Sequence, residues 1–242
     1  MSTATAFRAT DPAAAATPRF DIYDPIHRAL RLYMTDTLGR VGWLDPADAG
    51  ELQATLAQVD ALLDFCRSHL EHENTQVHPA IEARRPGVTT RVATDHREHE
   101  EHIAALQADV EQLRRAPGHA AATRLYKHLA LFVADNFQHM HYEETVHNQA
   151  LWATHDDAEI QAIEAAIVAS QSPAQMELTL RWMVPALPPA QRAAFMAQVQ
   201  QVVPPEPFGA LLQMLRPTLD DLAWAKLARA LGLPPVPGLV TV

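Results

Sequence analysis

Histidines and glutamates are the residues of this chain whose types and spacing could do chemistry. All 13 histidines lie before residue 156, and several stand four residues before a glutamate. On a helix, residues four apart lie one above the other, so a His-x-x-x-Glu pair can direct an imidazole nitrogen and a carboxylate oxygen at one metal ion. The spacing occurs in the pairs His69/Glu73, His78/Glu82, His96/Glu100, His139/Glu143 and His155/Glu159.

Helical phase separates these pairs. With about 100° of rotation per residue, two of them fall on the apolar face of their segment and point into the predicted core. His78 lies about 180° from His69 and precedes a proline, and His155 precedes the start of the next helix. The pairs that begin at His78 and His155 are therefore poor candidates. The two inward pairs are His69/Glu73 and His139/Glu143.

Two further predicted helices direct a histidine toward the same core. His27 lies on the apolar stripe of the first helix, one turn before Arg31, which we interpret as an exposed arginine rather than a cation at the site. In the third helix the centre of the stripe lies about 20° from His99 and about 40° from His96, so the phase favours His99 and leaves His96 open. Burial of these polar groups without a partner would be prohibitively costly, which predicts a metal centre.

The donor set narrows the choice of metal. Imidazoles and carboxylates without an inward thiolate pair suit iron, and zinc or manganese could substitute. Ferritin-like di-iron proteins require Glu-x-x-His on two helices, whereas Glu144/His147 is the one such match here. Haem attached through Cys-x-x-Cys-His is excluded because the chain has one cysteine, and a structural zinc site would use four closed ligands. His147 is a weaker candidate, and its expected role is to contact and orient a metal-binding side chain without binding the metal itself.

Long amphipathic helices must position these side chains. Ala, Leu, Glu and Gln are abundant and only 8 glycines occur, which favours an all-α fold. Prolines and short polar turns separate four long periodic segments, the pattern of an up-down-up-down four-helix bundle, and shorter segments predict additional C-terminal helices. The long segments are 24–41, 47–77, 90–115 and 120–152. The predicted domains are a flexible N-terminal arm over 1–20, the bundle over 21–155 and a histidine-free helical extension over 156–242.

Charge and cysteine content exclude several partners. The formal net charge of −10 argues against nucleic acid and against an anionic membrane surface. No stretch approaches the roughly 20 apolar residues that a membrane span needs. The single cysteine, Cys66, fits a reducing cytoplasm. We therefore expect a cytoplasmic protein with a small-molecule ligand, and a protein partner could dock on the C-terminal helices.

The order of the inward residues resembles the hemerythrin-like (HHE cation-binding) domain, over about residues 20–155. That domain has a lone histidine on the first helix, His-x-x-x-Glu on the second and fourth, and histidine on the third. The oxygen-carrying members have His-x-x-x-His on the third helix, and its absence here argues against reversible oxygen carriage. The resemblance implies a non-haem di-iron centre with bridging glutamates and with ligands drawn from His27, His69, Glu73, either His96 or His99, His139 and Glu143.

Two functions are compatible with this centre. The first is a di-iron protein that binds or reacts with a small oxidant, namely dioxygen, peroxide or nitric oxide, as a sensor, scavenger or detoxifier. The second is a non-catalytic iron-handling or regulatory module whose metal state a protein partner reads through the C-terminal helices. The sequence leaves open whether the chain is an enzyme.

Overall fold

The four long helices of the bundle, with the turns that directly follow two of them, carry all of the predicted metal ligands. The computed structural model describes residues 19–234, so the predicted N-terminal arm lies outside it except for its last two residues. The described residues form helices and no strand, which confirms the all-α prediction. The helices of the bundle are α1 (Asp24–Trp43), α2 (Ala49–His72), α4 (Thr90–Arg115) and α5 (His119–Tyr142).

Two of these helices continue beyond their α-helical part through a π-helical turn. Helix α2 passes through the turn Glu73–Val77 into α3 (His78–Arg84), and α5 passes through the turn Glu143–His147 into α6 (Asn148–Thr154). The predicted end of the second helix near Pro79 is therefore too early. Pro79 lies directly after the π-helical turn, in the first turn of α3, and does not end the helix.

The local sequence explains where the helices begin and how they turn. The side chain of Asp48 caps α2 by accepting hydrogen bonds from the backbone N–H groups of Gly50 and Glu51. Proline stands in the first turn of α1. Between α3 and α4 the backbone reverses at Gly87, whose φ of 88° lies in the left-handed region that favours glycine.

Two apolar clusters divide the bundle and leave a polar layer between them. On α2 the larger cluster ends at Leu70, and the smaller one resumes at Val77. On α1 the smaller cluster contains Tyr23 and the larger begins at Leu30. His27 and Glu73 lie in these intervals, and His69 lies directly before Leu70, at the edge of the second one. The fold therefore seals the polar residues from both ends with apolar side chains, which strengthens electrostatic interactions between them.

The C-terminal helices form a layer on the bundle, as the sequence predicts. Helix α8 packs along α1, where Trp182 stacks on Tyr33 with ring centroids 4.0 Å apart. Reciprocal capping boxes start α7 at Asp156 and α8 at Ser172. The helices are α7 (Asp157–Ser170), α8 (Pro173–Ala186), α9 (Pro189–Val202), α10 (Pro205–Leu215) and α11 (Asp221–Ala230). Among residues 19–234, no helix has the length and apolar character that crossing a membrane requires.

Candidate metal centre

Six of the seven candidate ligands meet in the polar layer, in two groups that share both glutamates. In each group one nitrogen or oxygen atom per residue lies within 4.8 Å of the others, so each group could hold a metal ion. The first group is His27, His69, Glu73 and Glu143, and the second is Glu73, His96, His139 and Glu143.

Each glutamate has carboxylate oxygens close to imidazoles of both groups. Oε1 of Glu73 lies 3.3 Å from Nε2 of His69, and Oε2 of the same carboxylate lies 3.3 Å from Nε2 of His96. Oε2 of Glu143 lies 3.5 Å from Nε2 of His27, whereas Oε1 lies 3.8 Å from Nε2 of His96. The two carboxylates therefore connect the groups in the way that bridging ligands would.

The carboxylate oxygens and the Nε2 atoms of the first group fit a cation because they form no hydrogen bond with any described residue, whereas Nε2 of His96 and Nε2 of His139 lie 3.2 Å from each other. Glu73 and Glu143 are 2% and 0% exposed, and none of their four carboxylate oxygens has a hydrogen-bond partner among the described residues. The buried Nε2 atoms of His27 and His69 are also without a hydrogen bond there. Native proteins rarely leave so many buried polar atoms unpaired, so this concentration indicates that these residues bind a cation.

The charge states of the carboxylates suit metal binding. Burial and the charge of Glu73 raise the pKa of Glu143, but the imidazoles of His139 and His96 lower it more, to about 2. The pKa of Glu73 is also lowered: burial raises it, while His69, His27 and His96 together outweigh that effect. Both carboxylates are therefore ionised at neutral pH, as a ligand must be.

Burial and the neighbouring carboxylates shift the pKa values of the imidazoles in different directions. Burial lowers the pKa of His69 to about 4, which leaves a neutral ring with a lone pair. Burial also lowers the pKa of His27 and His96, but the nearby carboxylates, those of Glu144, Glu73 and Glu143 for His27 and those of Glu143 and Glu73 for His96, raise each to about 9. The carboxylates thus attract positive charge to this part of the layer, as they would attract a metal cation.

Acceptors outside the groups hold the imidazole rings. Nδ1 of His96 lies 2.8 Å from Oδ1 of Asn74, and Nδ1 of His27 lies 3.0 Å from Oε1 of Glu144. Each acceptor is the residue that follows a shared glutamate, which gives the two halves of the layer the same design. An Nδ1–H donated to these oxygens leaves the Nε2 lone pair free for a metal.

Arg31 also supports the site, whereas the sequence led us to interpret it as an exposed arginine. Its two terminal nitrogens lie 2.6 and 3.1 Å from the two oxygens of Glu144. The pKa of Glu144 is about 2, because its bonds with His27 and Arg31 outweigh the effect of burial, which raises the value. The apolar stripe of α1 could not reveal this contact, since Glu144 belongs to another helix.

His99, which helical phase favours over His96, lies outside both groups. It is buried, but its Nε2 lies 3.5 Å from Oδ2 of Asp135 rather than close to either glutamate group. Burial and the neighbouring His139 lower its pKa to about 3. The residues are one turn apart, so their phases are similar, and position along the helix axis decides which one reaches the carboxylates.

The π-helical turns bring in His78, which sequence reasoning set aside, and His147, which it kept as a weaker candidate for a supporting residue. His78 and His147 are buried and form a third group with Glu143 that could hold a metal. A π turn contains one extra residue, which rotates the following helix by about 100° relative to a regular α-helix. This rotation moves His78 from the far side of the helix into the layer, while Glu82 turns to the α3–α4 connection.

His147 also joins the layer to the N-terminal end of α1. Its Nδ1 lies 3.2 Å from the hydroxyl of Tyr23, and both residues are buried. Burial raises the pKa of the Tyr23 phenol well above its usual value, and the charges of Glu143 and Glu73 raise it further. The sequence signal that could have pointed to these residues is the similarity between 69–75 and 139–145, which places both π turns at equivalent positions.

Comparison with known proteins agrees with this arrangement. The sequence model of the hemerythrin HHE cation binding domain matches residues 20–170, which is more than half of the chain and includes the bundle and α7. Comparisons with curated proteins and with solved structures give no match. The buried His/Glu groups and this match lead to one conclusion: the chain belongs to the hemerythrin HHE cation-binding domain family and is a metal-binding protein.

Proposed function

We propose that this protein holds a di-iron centre that binds or reacts with a small oxidant. The observation that carries the proposal is that both glutamates belong to both His/Glu groups. Two ions that share two carboxylates explain why none of the four oxygens has a partner within residues 19–234. One ion would be held by His27 and His69, the other by His96 and His139, and Glu73 and Glu143 would bridge them.

The donor set supports iron. Two imidazole nitrogens and two carboxylate oxygens per ion form the mixed shell that iron accepts, and zinc or manganese could occupy the same groups. When bound, iron would supply exchangeable positions and a change of redox state for dioxygen, peroxide or nitric oxide. The chain contributes a buried layer, two ionised carboxylates and imidazoles whose Nδ1 atoms are held by Asn74 and Glu144.

The third helix of the bundle supports reaction or sensing rather than reversible oxygen carriage. The positions four residues before and after His96 are Val92, which is buried and apolar, and Glu100, which lies exposed 3.7 Å from Arg67. Neither adds an imidazole to the second group. We therefore propose a sensor, scavenger or detoxifier of a small oxidant.

A regulatory role without turnover has one structural feature in its favour. Helix α7 packs against the π turn that contains Glu73, and Arg84 of α3 forms an ion pair with Glu159 of α7 at 2.6 Å. A change in the metal state could reach the C-terminal helices through these contacts. Steady consumption of peroxide would favour the first role, and a partner that binds only one redox state would favour the second.

Metal analysis of protein purified without chelators tests the proposal. We expect about two irons per chain and an absorption spectrum that changes when azide or peroxide is added. His139→Ala should remove at least one metal equivalent, while His141→Ala, a matched change at an exposed histidine of the same helix, should leave both. Protein from iron-replete cells that contains one zinc and no iron would contradict the di-iron centre.

A further inference from the structure

A cavity of about 310 Å³ lies between the bundle and the C-terminal extension. The bundle contributes His69 and Glu73 to its lining, and the extension contributes Ile167 and Val168 from α7 and Met176 from α8. Its volume lies at the lower end of the range of about 300–1,000 Å³ that is typical of small-molecule pockets. The extension therefore does more than cover the apolar surface of the bundle, because it forms a second wall for this space.

The cavity reaches the proposed metal centre from one side only. Its lining includes His69 and Glu73, whose Nε2 and carboxylate oxygens are buried and have no hydrogen-bond partner among the described residues. It includes none of His96, His139 and Glu143. Exposed residues such as Val168 also line it, so the cavity connects the surface with the first His/Glu group.

The chemistry of the lining restricts what could bind. Most of it is apolar, and it contains no lysine or arginine among the residues that the structure describes. Two further acidic residues, Asp64 and Glu164, also line it, and burial raises the pKa of Glu164. An anion would meet acidic groups without a compensating cation on the wall, whereas a neutral apolar molecule would replace water in contact with aliphatic side chains.

We propose that this cavity binds a small neutral organic molecule that is mostly apolar and has one polar end, which faces His69 and Glu73. A volume of 310 Å³ corresponds to about ten water-sized units at about 30 Å³ each, which limits the ligand to roughly that number of non-hydrogen atoms. The proposal rests on the proposed function only for the metal that the polar end would meet, since the walls that bind the apolar part need no metal.

Calorimetric titration with 2-naphthol, a bicyclic aromatic with one hydroxyl group, tests this inference. We expect one molecule bound per chain and no binding of 2-naphthalenesulfonate, which has the same rings and a negative charge. Val168→Trp fills the cavity from its exposed edge and should weaken binding at least tenfold. Val202→Trp makes the same change on α9, outside the cavity, at a residue that is 81% exposed, and should leave the affinity unchanged.

A second variant tests the inference in the opposite direction. Met183 lines the cavity, and Met183→Ala removes three non-hydrogen atoms from its wall, so this variant should bind 6-isopropyl-2-naphthol, which has three more non-hydrogen atoms than 2-naphthol, more tightly than the wild type does. Absence of saturable 2-naphthol binding, or equal affinity in the wild type and the Val168→Trp variant, would overturn the proposal.

The metal content of the same samples separates the two proposals. Protein with fewer than two metals that binds 2-naphthol with the expected variant effects would refute the di-iron centre and support the cavity. Protein with two irons that does not bind 2-naphthol would refute the cavity as a ligand site and leave the di-iron centre intact.

Discussion

Replacing Glu144 with alanine removes the carboxylate that holds His27 and leaves all six proposed ligands unchanged. Glu144 accepts from both terminal nitrogens of Arg31 and lies 3.0 Å from Nδ1 of His27, so its side chain fixes the ring through a single contact. Without it, Nδ1 loses the acceptor that directs Nε2 into the layer. The effect should therefore fall on the metal position formed by His27 and His69.

The magnitude follows from the kind of contact that is lost. Loss of an outer acceptor of a metal-binding histidine lowers metal affinity about 10–100-fold. This corresponds to about 1.4–2.8 kcal/mol of binding free energy. Asn74→Ala should produce a similar loss at the second position, because Oδ1 of Asn74 lies 2.8 Å from Nδ1 of His96.

Anaerobic titration of metal-free protein with Fe(II), against a competing chelator, measures both affinities. Each single variant should weaken one of two binding steps, and the double variant Glu144→Ala/Asn74→Ala should weaken both. Thr145→Ala is the matched control, because the hydroxyl of Thr145 is exposed and bonds only to carbonyl groups of its own helix. It should leave both steps unchanged.

Two results would refute this reasoning. Equal affinities in the wild type and the Glu144→Ala variant would show that the contact with His27 does not orient a ligand. A double variant that weakens only one binding step would show that Glu144 and Asn74 act on the same ion, contrary to the two separate groups in which His27 and His96 lie.

Three further predictions follow from the same geometry. Removing the metal should lower the melting temperature by about 8–16 °C, because free metal about 1,000-fold above Kd adds about 4 kcal/mol to the free energy of unfolding. Glu73→Ala and Glu143→Ala should each abolish most of that difference, and equal melting temperatures of metal-free and metal-loaded protein would count against the buried site. His96→Ala should cost at least one metal equivalent and His99→Ala should retain both, so the opposite pattern would restore the preference from helical phase. The carboxylate of Glu82 accepts hydrogen bonds from Gly87 and Thr89, which lowers its pKa from 4.5 to about 2. The melting-temperature difference between wild type and Glu82→Gln should therefore be present above about pH 4.5 and disappear toward pH 2. A difference that persists at pH 2 would exclude this cause.

The sequence by itself determines the helices and most of the inward-facing residues. Capping residues such as Asp48 and the prolines of the first turns act within a few residues, so they can be recognised without knowledge of the fold. An apolar stripe along a helix is also a local property, and it places His27, His69 and His139 on the buried side correctly. The family resemblance then supplies the expectation that these helices surround metal ions.

The tertiary structure decides which inward residues meet. Phase describes rotation about one helix axis, whereas the choice between His96 and His99 depends on how far α4 is displaced along its neighbours. The π turns change the phase itself, and they bring His78 and His147 into the layer although a regular helix would direct His78 away.

The contact of Arg31 with Glu144 and the cavity beside His69 likewise depend on the relative positions of several helices. Glu144 is distant from Arg31 in sequence, and the walls of the cavity come from both the bundle and the extension. Local periodicity contains no information about such pairs, because each helix meets its neighbours only when apolar surfaces are buried against one another. The sequence therefore determines the metal-binding side chains and the helices that carry them. Helix packing decides which side chains contact one another in the metal centre and where a cavity lies beside it.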